Sequence, residues 1–254
     1  DFILVLGNVL DIGTPSDSTV TDAKANFVST SSAAGLQIKG DGTTDGTLQL
    51  NCSQNSHGIK LKSPNHSSGQ SYTLTFPTTA PVADKILATD GSGNLSFANV
   101  ISEADIFRLT SDTSNGVNAD ITANLERVDN ATFSKIGTGM TESSGIFTFP
   151  STGLYQVICN PGVIGVSDNR NAVKTNVSSN SGGAFDEVAE ASGGGGASSY
   201  DLNSVYSSAF VNVTNTSTFQ VKFTTSSFGA SCRLVGDTNR TRTCFIFIKL
   251  GASQ

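Results

Sequence analysis

Residues 145–157 constrain the fold of this chain more than any other segment of the sequence. Apolar side chains alternate with small or polar ones on both sides of a Pro-x-x-Gly sequence, and such alternation is typical of short strands. Pro150 fixes its own φ and offers no backbone donor, and Gly153 can adopt a positive φ. The segment therefore predicts two strands joined by a tight turn. The aromatic residues that we expect in the core here are Phe147, Phe149 and Tyr155.

The composition favours strands and turns over helices. Charged residues make up 14% of the chain, against about 25% in an average globular protein. Gly, Ser, Thr and Asn fill the difference, and side chains that hydrogen-bond to the nearby backbone disfavour helix. The sequence therefore predicts an all-β protein. The balance of 15 basic and 21 acidic residues, without a basic cluster, argues against nucleic-acid binding.

Three regions follow one another along the chain. Residues 1–34 are rich in Thr, Ser and Asp and predict an N-terminal attachment arm. Residues 35–103 contain short alternating strands separated by Asp-Gly, Ser-Gly and Pro breaks, which predict a β-rich neck. Strands of three to five residues bury too little apolar surface to be stable alone, so we expect this neck to need partner copies.

Residues 104–254 predict one compact β-sandwich. Eight or nine strands fit into about 150 residues, which is the spacing expected of a sandwich or jelly roll. The last strand, residues 244–250, is apolar without alternation. This pattern predicts that one of its faces contacts the domain core and the other contacts another subunit. Phe245 and Phe247 are expected in that core or interface.

The spacing of Phe147, Phe149, Gly153 and Tyr155 resembles the signature segment of C1q/tumour-necrosis-factor-like jelly rolls. The resemblance covers residues 104–254 and is best at 131–157, 202–224 and 243–250. It implies a jelly-roll head that forms homotrimers and binds other molecules. The chain departs from that family in having no Trp and in the glycine content of residues 179–200.

A second resemblance covers residues 40–98. The segments GTLQLNCS (46–53) and YTLTFP (72–77), followed by ILATDGSGNLSF (86–97), resemble tail-fibre and virion structural proteins of tailed bacteriophages, particularly marine ones. In those fibres such a pattern precedes a receptor-binding tip. The resemblance implies a role in particle architecture and carries no catalytic residue with it.

The sequence contains no recognisable catalytic motif, and residues 104–254 contain no histidine. Asp186, Glu187 and Glu190 lie close together, but the glycine-rich segment 179–200 predicts a mobile loop that could not hold two carboxylates in hydrolytic geometry. We therefore expect no enzymatic activity. Long loops at the end of a sandwich commonly bind ligands. The residues predicted for receptor binding there or beside it are Phe185, Asp186, Glu187, Tyr200 and Tyr206.

No cofactor and no metal are expected. His57 and His66 are the only histidines, and each sits in a polar turn, although three copies of one histidine could meet on a threefold axis. Residues 40–46 offer oxygen ligands but lack a complete calcium loop. The four cysteines, at 52, 159, 232 and 244, have no metal-binding spacing. Buried or unpaired thiols are expected, and a bridge between Cys232 and Cys244 stays an alternative.

Together these features predict a homotrimeric bacteriophage virion protein, a fibre or tip that attaches to the host cell surface. It would contact other virion proteins through residues 1–34, bind a host glycan or protein through its head, and be exposed on the particle. The apolar run at residues 2–6 is too short to span a bilayer, so no membrane insertion is expected. The alternatives are a capsid decoration or head-fibre protein of the same particle, and a secreted cellular adhesion module.

Overall fold

The computed structural model describes residues 27–130, 133–165, 170–194 and 201–254. Within these ranges the chain is built from strands, and its one helical element is a single 3-10 turn at His66–Ser68. The predicted all-β fold is therefore confirmed. The chain forms two compact units, Asp1–Leu74 and Thr75–Gln254. The predicted arm, residues 1–34, lies outside the described residues up to position 26.

The first unit contains one antiparallel hairpin, β1 (Thr47–Asn51) paired with β2 (Gly58–Lys62). The turn between them is closed by two backbone hydrogen bonds, Cys52 N to His57 O at 2.8 Å and Asn55 N to Cys52 O at 2.9 Å. Asn55 adopts a φ of 55°, a conformation that Asn tolerates better than most residues.

The second unit opens with another hairpin, β3 (Ile86–Thr89) and β4 (Leu95–Ala98). Asp90 closes its turn by accepting from the backbone N–H of Ser92 at 2.8 Å. Thr75 joins this hairpin through two backbone hydrogen bonds, Thr75 N to Gly93 O at 2.9 Å and Leu95 N to Thr75 O at 2.8 Å.

The remaining strands form a sandwich of two antiparallel five-stranded sheets and a small third sheet. In chain order they are β5 (Ala104–Leu109), β6 (Leu125–Arg127), β7 (Thr141–Ser143), β8 (Ile146–Thr148), β9 (Gly153–Asn160), β10 (Gly162–Gly165), β11 (Asn171–Ser178), β12 (Asp186–Gly193), β13 (Asp201–Ser204), β14 (Ser207–Val213), β15 (Gln220–Ser226), β16 (Arg233–Leu234) and β17 (Cys244–Gly251). The front sheet has the order β14-β9-β17-β5-β6, and the back sheet has the order β12-β11-β15-β8-β7. The third sheet has the order β13-β10-β16.

The strand order identifies the sandwich as a jelly roll. The last strand, β17, lies between β9 and β5 in the front sheet, and β15 lies between β11 and β8 in the back sheet. The chain therefore crosses repeatedly from one sheet to the other instead of forming a simple meander, as jelly rolls do.

The core between the two sheets is centred on phenylalanines. The Phe147 ring lies 5.1 Å from that of Phe107 and 5.0 Å from that of Phe247, and Phe223 stacks on Phe245 at 4.0 Å. Aromatic contacts of this kind stabilise a core beyond the burial of their area. All five residues predicted for the core or interface are buried there: Phe147, Phe149, Tyr155, Phe245 and Phe247.

The turn at Pro150 carries the chain between the sheets. The strand before it, β8, belongs to the back sheet, and the strand after it, β9, belongs to the front sheet. Gly153 has a φ of 154°, and a Cβ on it would lie 2.6 Å from the carbonyl oxygen of Gly251. Tyr155 fixes the turn because its hydroxyl lies 2.9 Å from Ser151 Oγ and donates to Ser151 O at 3.1 Å.

The structure places two boundaries in the predicted neck, residues 35–103. Backbone pairing of Thr75 with the β3–β4 hairpin assigns residues 75–103 to the second unit. Burial begins later: Asp105 is the first buried residue in the described part of the chain. Residue 103 already belongs to the sandwich, because Lys249 N donates to Glu103 O at 2.9 Å.

Candidate interaction surfaces

The outward face of the front sheet is apolar at its centre. In β17, Phe245 and Phe247 point into the core, so Ile246 and Ile248 point away from it and stay partly exposed. The neighbours of these two isoleucines on the adjacent strands are Ile106, Ile158, Ala104 and Gln156. The apolar run of β17 is thus divided between two faces. Phe245 and Phe247, predicted for the core or the interface, both lie on the inner face.

A groove of about 450 Å³ crosses this face beside β5. It forms because Val128 N donates to Ile106 O at 3.0 Å and because Ala104 and Ile136 make an antiparallel bridge. Its walls are mainly hydrocarbon, contributed by Ile101, Ile106, Val128, Phe133, Ile136 and Ile248. A groove with this lining can accept apolar side chains of another protein.

Phe210 extends the same face to the opposite edge of the sheet. It lies on β14, next to Gln156, which in turn lies next to Ile248. Its side chain is 68% exposed. We call Ile106, Ile158, Phe210, Ile246 and Ile248 the front apolar face.

An ion-pair group with a buried arginine and two solvent-accessible carboxylates borders the front apolar face. Arg108 is only 3% exposed, and its Nη2 lies 2.9 Å from Asp129 Oδ1 and 3.2 Å from Glu126 Oε2. Its Nη1 has no hydrogen-bond partner in the described ranges. A polar rim around an apolar centre is typical of protein–protein interfaces.

The outward face of the back sheet is charged instead. Lys174 pairs with Glu187 at 2.7 Å, and Arg170 pairs with Glu190 at 2.5 Å. Lys222 pairs with Asp120 at 2.9 Å. Alternating charges that pair across strands keep a sheet face in water, so this face has no tendency to be buried.

The carboxylate of Asp120 shows how these contacts act. Burial alone would raise its pKa, but the hydrogen bonds from Thr224 and Lys222 and the charge of Lys222 hold the pKa below its usual value. The two donors lie at 2.6 Å and 2.9 Å. Asp120 therefore stays ionised and fastens its loop to β15.

The predicted mobile loop at residues 179–200 is wrong in its central part. Residues 186–193 form β12, an edge strand of the back sheet that pairs with β11 along its whole length. Ala191 faces the core and is 1% exposed. Ala191 is the only buried residue of β12, so the Ala, Ser and Gly residues here form an exposed edge strand.

The structure separates the residues predicted for receptor binding. Phe185 precedes the start of β12, with Lys222 Nζ 4.5 Å from its ring centroid. Gly193, at the other end of β12, lies against Val205, the residue before Tyr206. Eight residues of extended chain separate the two ends, roughly 26 Å. Asp186 and Glu187 directly follow Phe185 and lie at the same end of β12. Tyr200 lies outside the described residues.

Two of the three neighbouring carboxylates, Glu187 and Glu190, are held in ion pairs. Glu187 and Glu190 are each neutralised by a cation, and the hydrogen bond from Arg170 lowers the pKa of Glu190. A glycosidase needs one carboxyl group whose pKa is raised so that it can act as an acid. The contacts of Glu190 act in the opposite direction.

All four cysteines lie in the described part of the chain, and none forms a disulfide. Burial raises the pKa of Cys159 well above its usual value and that of Cys244 to about 11. Cys52 is exposed, and donation from the backbone of His57 and Gln54 lowers its pKa to about 6. His57 Nδ1 forms a hydrogen bond with Ser56 Oγ at 3.0 Å, and the tautomer of His57 decides which atom donates.

Two kinds of feature are missing from the residues that the structure describes. They contain no group of three or more metal-binding side chains. They also contain no helix with the length and hydropathy to cross a membrane.

The sequence predicted an outward apolar face on β17, but it did not indicate which residues form that face or that Phe210 belongs to it. Ile246 and Ile248 are as apolar as the phenylalanines that flank them in β17, so hydrophobicity alone does not tell which of them point outwards. Phe210 stands in a clearer pattern, because Ala209, Val211 and Val213 alternate with it and predict a core face on the other side. A large apolar residue on the polar side of such a strand was the available signal.

No family model matches the sequence, and no curated protein matches it. Among solved structures, the chain is similar to the Eiger TNF from S. frugiperda, with 13% identity and a TM-score of 0.46 over 59% of this chain and 94% of that one. It is similar to the globular domain of zebrafish complement 1qA, with 10% identity and a TM-score of 0.39 over 59% and 99%. The vertex protein P5 of PRD1 gives 15% identity and a TM-score of 0.38, again over 59% and 99%. The strand order remains the basis for the jelly-roll assignment.

Proposed function

We propose that this chain is a homotrimeric structural protein of a bacteriophage particle and that its jelly-roll head attaches the particle to the host cell surface. The front apolar face supports this proposal most directly. It lies on a domain whose own core is already closed, so its burial needs another subunit. The resemblance of residues 40–98 to phage fibre proteins supports the setting on a virion.

The composition of the front apolar face favours association with identical copies. Its five members carry no charge, and only the uncharged Gln156 separates Phe210 from Ile248. Monomeric proteins rarely leave a large surface of this kind in water. The groove beside β5 and the exposed ring of Phe210 lie at opposite edges of the same face. In a closed ring of copies, Phe210 of one subunit can enter the groove of the next. The resemblance to C1q/tumour-necrosis-factor-like heads favours three subunits.

Light scattering coupled to size-exclusion chromatography tests the trimer. The unmodified chain is expected to show three times the monomer mass. Ile246→Asp places a charge in the centre of the face and should give a folded monomer with unchanged circular dichroism. Thr148→Asp, on the outward face of the back sheet, is the matched control and should stay trimeric. A monomeric unmodified chain, or a trimeric Ile246→Asp variant, would contradict the proposal.

Burial of the front face would leave the back sheet exposed to a receptor. Phe185 and Glu187 lie on this side, where the Phe185 ring contacts Lys222, and Asp186 lies between them at the exposed start of β12. A host glycan or protein is the proposed partner, with recognition through stacking and hydrogen bonds. Binding of the trimer to host cells should fall at least tenfold in Phe185→Ala and remain in Tyr206→Ala. If Phe185→Ala bound host cells as well as Tyr206→Ala does, Phe185 would not be part of the receptor site.

Attachment to the particle is proposed to involve residues 1–34. Cryo-electron microscopy of particles, with the chain located on tail or capsid, distinguishes a fibre from a capsid decoration protein. We propose binding rather than catalysis for the head, because Glu187 and Glu190 are both held in ion pairs. Release of reducing ends from host polysaccharide by the purified trimer would contradict this part.

A further inference from the structure

The described part of the first unit, residues 27–74, contains no buried core. From residue 27 to residue 74, every side chain is exposed or partly exposed, and none is buried. The backbone is nevertheless regular there, with paired strands and closed turns. A segment with ordered backbone and no buried side chain lacks the usual source of folding stability.

The β1–β2 hairpin has one fully apolar face. Leu48 pairs with Leu61, and Leu50 pairs with Ile59, so the four side chains lie on the same side of the two strands. They are between 38% and 71% exposed. The opposite side is polar, with Gln49 directly across from Lys60.

An isolated two-stranded hairpin is at best marginally stable in water. Here the four aliphatic side chains would also remain hydrated, which removes the main contribution that could stabilise it. The pattern of the two strands is therefore explained only if another surface covers the apolar side.

We infer that this surface is the same hairpin in two further copies of the chain: the three β1–β2 hairpins pack together through Leu48, Leu50, Ile59 and Leu61. The neck then becomes folded only within the trimer. This inference rests on the proposed trimer and extends it from the head to the neck.

Size and charge favour identical copies over a different protein. A stable interface with a free partner usually buries about 800 Å² on each side, and four side chains on a five-residue hairpin are too few for that. Three hairpins tied to one trimeric head meet at a high effective concentration, so a small interface suffices. Lys60 lies on the polar side of the hairpin, and Lys62, also on that side, pairs with Asp45 at 3.0 Å. No like charges would therefore meet between the apolar faces.

Cys52 provides a probe for this packing. It follows the last residue of β1 and is exposed, whereas Cys159, Cys232 and Cys244 are buried, so a pyrene maleimide should label it selectively in the folded protein. In the trimer the three labels lie at the same end of the three hairpins. Pyrene excimer emission is expected, together with slowed hydrogen exchange of the amides between residues 47 and 62.

Two double variants separate the apolar side from the polar side of the hairpin. Leu50→Ser with Ile59→Ser should remove the excimer emission and the amide protection but leave a trimeric mass in light scattering. Gln49→Ser with Lys60→Ser changes the other cross-strand pair and should keep both signals.

The remaining outcomes overturn the inference in distinguishable ways. A trimeric mass with pyrene monomer fluorescence only would exclude packing of the three hairpins against one another. The proposed trimeric head would remain intact. Amide protection without excimer emission would show that another segment or another protein covers the apolar side. A monomeric mass for the unmodified chain, with monomer emission, would overturn the trimer and the inference together.

Discussion

At the scale of single residues, the aromatic side chains of the head divide into two groups. Phe247 is 1% exposed and contacts Phe147, and Phe210 is 68% exposed on the outward side of β14. The two have the same chemistry and belong to strands of the same sheet. Their different surroundings place Phe247 in the core and leave Phe210 accessible for the proposed association.

This division predicts different effects of truncation. In the monomeric Ile246→Asp background, where unfolding is not linked to association, Phe247→Ala should lower the free energy of unfolding by about 3–5 kcal/mol through the cavity it leaves. Phe210→Ala should change it by less than about 1 kcal/mol. Urea unfolding followed by circular dichroism measures both. Similar losses for the two variants would show that Phe210 is buried within one subunit.

Cys52 predicts a pH-dependent reaction. Its pKa is lowered to about 6, so the reactive thiolate fraction should rise as the pH increases from 5 to 7 and then level off. Alkylation by iodoacetamide, followed by mass spectrometry of the Cys52 peptide, should show a midpoint near pH 6. Ser56→Ala removes one donor and should move the midpoint upwards. Cys244, whose pKa is about 11, should stay unmodified in the folded protein.

At the scale of elements, one carboxylate organises the edge of the front sheet. Asp105 in β5 is 2% exposed and accepts from Arg127 Nε at 3.0 Å and from the backbone N–H of Met140 at 2.7 Å. Gly139 makes the second contact feasible, because it has a φ of 75° and a Cβ there would lie 2.6 Å from Asp105 Oδ2. One side chain of β5 thus reinforces the backbone pairing of β5 with β6 and also contacts the chain leading to β7.

Removing that carboxylate should loosen both segments. Asp105→Ala leaves the buried N–H of Met140 without its acceptor and removes the ion pair of the partly exposed Arg127, so it is expected to cost about 1–3 kcal/mol of unfolding free energy. Hydrogen exchange at residues 125–127 and 139–141 should quicken more than exchange in β15. Glu187→Ala breaks an exposed pair and should cost less than about 1 kcal/mol. Equal costs would show that Asp105 contributes no more than a surface ion pair.

Local sequence patterns predicted single strands better than they predicted how strands associate. The alternation around Phe147 and Tyr155 indicated two strands and a turn, and both strands exist. It could not indicate that β8 and β9 belong to different sheets, because sheet membership depends on distant partners such as β15 and β17. The misread segment was β12, where the small residues of an exposed edge strand have the composition of a loop.

The same limit applies to the candidate surfaces. Phe185 and Tyr206 stand close together in sequence around a glycine-rich segment, and only the pairing of β12 with β11 reveals that they lie at opposite ends of a strand. The front apolar face combines side chains from β5, β9, β14 and β17. Its members are spread over more than 140 residues of sequence, so no local pattern could indicate the face as a whole.

At the scale of the whole molecule, burial is concentrated in one part of the chain. Asp105 is the first buried residue in the described ranges, and all of the hydrophobic core lies beyond it. The β3–β4 hairpin belongs to the second unit by its backbone contacts, yet it contributes no buried side chain. The head should therefore fold without it.

Two truncated chains test this expectation. Residues 100–254 keep Ile101 and Glu103, which contact the sandwich, and residues 75–254 also keep the β3–β4 hairpin. Both should unfold cooperatively with midpoint temperatures within a few degrees of each other, because no core side chain separates them. Residues 27–103 alone should give the circular dichroism of an unfolded chain, since they have no buried core. A midpoint more than about 8 °C lower for residues 100–254 would show that the hairpin stabilises the head, and cooperative unfolding of residues 27–103 would contradict their dependence on the trimer.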